Sequence, residues 1–116
     1  MVNRAKRRKE EKYKRALGEI IDHQARDSRF DFATVTEVEL SADFRYARVF
    51  VSLPGDRQKQ EAAVEKFNQD EGFFRSLLAE EVDPRYTPEL DFVLDDRIDK
   101  VARIEHIVSE EEGEDE

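Results

Sequence analysis

With 116 residues, 38% hydrophobic and 42% charged, the chain is long enough for one domain with one modest core. It has no cysteine, which excludes disulfides and thiolate metal sites, and no apolar run approaches the ~20 residues of a membrane helix. The net charge of −9 is unevenly spread: residues 1–15 hold eight Lys or Arg against two Glu, and residues 110–116 hold six acids and no base.

That asymmetry predicts a basic arm over residues 1–11 that meets phosphate and an acidic, disordered tail over 109–116; two solubilising ends are the plainer alternative. The cationic N-terminus lacks the apolar stretch of a secretory signal, so a cytoplasmic setting is expected.

In chain order, Tyr13, Leu17, Ile20 and Ile21 recur at helical spacing and predict an amphipathic first helix, with Lys6, Arg7, Lys14 and Arg15 largely off its stripe. Gly18 is a weak spot there that would allow close packing on a sheet. Ala33–Ser41 and Tyr46–Ser52 are rich in β-branched residues and predict an antiparallel hairpin. Strict alternation in the first strand would put Thr34, Thr36, Val38 and Leu40 on one face. In the second, Arg48 shares a face with Tyr46 and Phe50. Exposed, that face would suit base stacking. The preferred reading places Phe50 in the core and Arg48 at the sheet edge.

Leu53–Asp56 is a turn, and Asp56 is a good helix cap. The stripe Ala63, Val64, Phe67, Phe74, Leu77, Leu78 keeps phase across Gly72, which predicts one kinked helix or two in tandem. Asp83–Pro88 breaks it. Leu90, Phe92 and Leu94 alternate as a third strand, and Asp95 or Asp96 can cap a last helix carrying Ile98, Val101, Ile104, Ile107 and Val108. These elements predict an α+β domain, a three-stranded sheet with helices on one face.

Nothing in the sequence points to catalysis. The two histidines, His23 and His106, lie far apart and suit surface or helix-end positions. No glycine-rich phosphate loop or nucleophile elbow is present. Acidic pairs such as Asp95–Asp96 are expected by chance among 29 acids. A binding module is the alternative, and cations are what phosphate binding needs. The candidates are Arg4, Lys6, Arg7, Arg8, Lys9, Lys14 and Arg15 on the arm and first helix. Arg29, Arg45, Arg48, Arg75 and Arg85 would extend the patch if the fold gathers them.

"RDSRFDFATVTEVELSADFRYARVFVS" followed by "EGFFRSLLAEEVDPRYTPELDFVLDDRI" resembles, in order and spacing, the ribosome-binding factor A family over about residues 12–108. The resemblance implies a K-homology type II-like fold: helix, strand, strand, helix, glycine break, helix, strand, plus a C-terminal helix. It implies a monomeric assembly factor, not an enzyme and without cofactor, that binds the small ribosomal subunit precursor and its 16S rRNA. It further implies late maturation, 5′-end processing of that RNA, and importance in cold adaptation, with no membrane or small-molecule substrate.

The break maps to Asp70, Glu71 and Gly72. Asp70 stands where the family has a small alanine, Ser28 where it has proline, and Arg97 where it has a small polar residue. A carboxylate beside the break repels phosphate, which moves the expected main RNA contact to the basic first helix. Two rival readings are a general K-homology-type RNA-binding protein and an interaction module whose acidic surface meets a basic partner.

Overall fold

The computed structural model describes residues 3–24, 33–82, 85 and 87–97. The first helix, α1, spans Arg4–Gln24. Asn3 begins it, its side chain accepting from the Lys6 N–H at 3.1 Å. Residues 4–11, expected as a basic arm leading into this helix, are its first turns. Tyr13, Leu17, Ile20 and Ile21 are buried, as the spacing predicts, and Ala16 is buried with them.

Gly18 does not mediate a close approach. A Cβ placed there meets nothing within 4 Å. Alanine removes the helix penalty of glycine without a clash, so Gly18→Ala is expected to stabilise the domain by about 0.5–1 kcal/mol, read as a shift in denaturant midpoint.

Strands β1 (Thr34–Leu40) and β2 (Tyr46–Ser52) form the antiparallel hairpin. The alternation expected in β1 fails at one point. The register passes from Val35↔Val51 to Glu37↔Phe50, which leaves Thr36 as an extra, bulged residue. Val35 is thus buried with Val38 and Leu40, and Thr34 is exposed. Gly55 adopts φ 105° in the turn that follows β2, a conformation glycine tolerates best.

Two helices follow, α2 (Arg57–Gln69) and α3 (Glu71–Glu81). Asp56 caps α2 by accepting from the Lys59 N–H at 2.9 Å. The interruption falls at Asp70, and Gly72 lies inside α3. Across the break Phe67 and Phe74 converge on Phe92 of the last strand, β3 (Glu89–Leu94), with ring centroids 5.0–5.4 Å apart. That triad is the centre of the core. β3 runs parallel to β2, and the sheet order is β1-β2-β3 with the helices over one face.

The break has a structural task. The Asn68 side chain accepts from the Phe92 N–H and donates to the Phe92 carbonyl, both at 2.8 Å, and Glu71 accepts from the Leu90 N–H at 3.0 Å. Together they cover the outer edge of β3, which otherwise presents unpaired backbone groups. Asn68→Ala leaves both Phe92 groups without these partners, and a loss of about 1–3 kcal/mol is expected in chemical denaturation.

The expected C-terminal helix over Ile98–Val108, the acidic tail over 109–116, His106, Arg29 and Ser28 lie outside the described residues. No described helix is long and apolar enough to cross a membrane.

Candidate nucleic-acid interface

The β1–β2 turn is held by its own polar groups. Ser41 N–H donates to the Tyr46 carbonyl at 2.8 Å, and the Asp43 carboxylate accepts from Ser41 Oγ at 2.7 Å and from the Arg45 N–H at 3.1 Å. The hydrogen bond from Ser41, then that from Arg45, lowers the Asp43 pKa. Phe44 within this turn takes φ 62°, a left-handed conformation rare for a bulky side chain. Its ring packs against the core and lies 4.8 Å beneath the Lys9 ammonium.

Because β3 pairs in parallel with β2, Glu89 sits opposite Tyr46, and the Glu89 N–H donates to the Arg45 carbonyl at 2.9 Å. The residues before β3 therefore lie beside the hairpin turn. Between them opens a groove of about 700 Å³. Its cations come from four places in the chain: Lys9 on α1, Arg45 in the turn, Arg75 on α3, and Arg85 between α3 and β3. Arg75 donates to the Thr87 carbonyl at 3.2 Å, which orients its guanidinium along the groove wall. Phe44 and Tyr46 supply aromatic surface, and Asp43 and Glu89 the carboxylates.

The other candidate cations are placed differently. Arg4, Arg7, Arg8 and Arg15 are exposed along α1, and Lys6 and Lys14 are half-buried. At 3.6 residues per turn Arg4, Arg7, Arg8, Lys14 and Arg15 fall within an arc of about 120° opposite the buried stripe, and Lys6 falls outside it. Arg48 is exposed on the open face of the sheet. It is not at an edge, because β2 is the central strand, and its register neighbours are Glu39 and Asp91. Phe50 is also on that face and not in the core. It is half-buried, with the Arg97 guanidinium 5.0 Å above its ring.

Arg97 itself is tied down by Asp95 at 2.9 Å and Glu37 at 2.8 Å. Asp95 also accepts from the hydroxyl of the bulged Thr36 at 2.6 Å. Hydrogen bonds from Arg97 hold the Asp95 carboxyl well below the usual carboxylate range.

Of the break residues, Asp70 pairs with Lys66 at 3.2 Å, and Glu71 is committed to β3. A Cβ on Gly72 would meet open space. Among the described residues no group of His, Asp and Glu could hold a metal ion. Phe44 was not among the expected contacts, and the aromatic beside Arg45 in a turn segment lacking glycine was the signal available for it; Tyr46 was expected only as part of the strand face with Arg48 and Phe50 that would suit base stacking.

The family model for ribosome-binding factor A matches residues 5–108. A ribosome-binding factor A from Halothermothrix orenii is 36% identical over 116 residues, covering 100% of this chain and 95% of the relative. The crystal structure of ribosome-binding factor A from Thermus thermophilus superposes with a TM-score of 0.69 at 31% identity, over 77% of this chain and 94% of that one. Coordinates of the Thermus thermophilus protein fitted into a cryo-EM map of its complex with the 30S subunit superpose with a TM-score of 0.63 at 30% identity, over 75% and 91%. The fold of this chain is similar to these, a K-homology-like arrangement.

Proposed function

The chain belongs to the ribosome-binding factor A family, and from that premise we propose that it binds the precursor of the small ribosomal subunit through 16S rRNA. The observation that carries the reading is the convergence of Lys9, Arg45, Arg75 and Arg85, from four separate segments, on one groove next to the cationic α1. In a chain of net charge −9, such a local concentration of positive charge suits a phosphate polymer.

Binding acts without covalent chemistry. A factor that prefers one rRNA conformation shifts the population toward it by its difference in affinity. In this way the monomeric protein assists late maturation and 5′-end processing of the rRNA in the cytoplasm. The role is greatest in the cold, where RNA refolding is slow.

Sedimentation of cell extracts tests the reading. The tagged chain is expected to travel with free small subunits, and the purified chain to lose affinity for 16S rRNA as salt rises. Migration with polysomes, or binding indifferent to salt, overturns it.

A further inference from the structure

The groove at the end of the sheet has the dimensions and chemistry of a seat for a single unpaired nucleotide. We propose that one ribonucleotide, looped out of the rRNA, places its base on Tyr46 and its flanking phosphates against Arg45, Arg85 and Lys9. The inference rests on the RNA-binding reading above and specifies its mode.

Size comes first. About 700 Å³ lies within the ~300–1,000 Å³ of small-ligand sites, enough for one nucleotide, while a duplex offers only its rim to such a space. The aromatic surface is second. Tyr46 is 56% exposed, and among the described residues its ring and hydroxyl have no partner. An exposed tyrosine on a sheet, bordered by cations, is the surface on which unpaired bases stack.

The charges set the direction of the strand. Glu89, the register partner of Tyr46, keeps phosphate off the sheet side and leaves acceptor oxygens for the amino group of a base. Arg45, 80% exposed and 4.0 Å from Asp43, and the exposed Arg85 line the same groove. The sugar-phosphate chain therefore crosses the cationic side, with the base turned inward.

The backbone supplies a further observation. The left-handed conformation of Phe44 is strained for a residue with a Cβ. Such strain persists where surrounding structure holds it, and it concentrates at functional sites. Here it keeps a ring at the groove wall under Lys9.

The test uses the full chain and a labelled single-stranded oligoribonucleotide, with the same strand annealed to its complement as comparison. The chain is expected to bind the single strand more tightly than the duplex. Tyr46→Ala is expected to weaken single-strand binding at least about fivefold, and Tyr46→Phe to stay near the parent. Tyr46 is largely solvent-exposed, so thermal melting of both variants is expected to match the parent.

Equal binding of duplex and single strand, an unchanged affinity for Tyr46→Ala, or displacement by an acidic peptide at concentrations where unlabelled RNA has no effect overturns the groove proposal. If salt-sensitive association with small subunits persists alongside either of the first two results, the RNA-binding reading stands and only the groove assignment falls. If the chain binds neither RNA nor small subunits, both fall.

Discussion

Replacing Lys6, Arg7, Arg8 and Lys9 together by glutamine is expected to lower affinity for 16S rRNA by about 10- to 100-fold near physiological salt. Four consecutive residues span slightly more than one helical turn, so one RNA surface meets about half of them. Each phosphate neutralised contributes about −0.9 to the slope of log affinity against log salt on a duplex and about −0.7 on a single strand. Losing two such contacts reduces the slope by about 1.4–1.8. Titrations at several salt concentrations, with circular dichroism to confirm folding, give both quantities. All four residues lie outside the hydrophobic core, so the helix persists. An affinity and slope equal to those of the parent would exclude the N-terminal turns of α1, Lys9 at the groove included, from the RNA contact and leave the charge to Arg45, Arg75 and Arg85.

Phe67→Ala is expected to destabilise the domain by about 3–5 kcal/mol, against a total of roughly 5–15 kcal/mol for domains of this kind. Phe67 has no solvent exposure and touches both Phe74 and Phe92, so alanine removes one ring of the triad and leaves a cavity between α2, α3 and β3. Urea denaturation would show the loss as a lower midpoint. RNA affinity measured below the transition should change little, because Phe67 lies away from the groove. A loss below about 1 kcal/mol would mean that the helices close over the gap, and the triad is then not the centre of the core. Phe73, half-exposed on the next helix, is the matched control.

Much of the fold is legible in the sequence because it depends on neighbours within a turn or two. The buried stripe of α1, the Asp56 cap, the phase of Phe67, Phe74 and Leu78, and the alternation of Leu90 and Phe92 all follow from local periods of about 3.6 and 2 residues. Where a long-range fact intervenes, the local period misleads. A single bulge at Thr36 exchanges the faces of Thr34 and Val35. With β2 central and the helices over one face only, Arg48 and Phe50 lie on the open face where an edge and a core position were expected. Asp70 and Glu71, conspicuous as acids beside a break, turn out to hold Lys66 and the edge of β3.

The sequence alone determined the elements, the family resemblance and the cationic first helix. The tertiary structure decided which cations meet. Arg45 and Arg85 lie far apart along the chain and come together only because β3 returns parallel to β2, placing the residues before it beside the hairpin turn. No residue near either arginine in sequence encodes that pairing. It is set by the hydrophobic triad and by the edge-covering Asn68 and Glu71, which fix β3 in place.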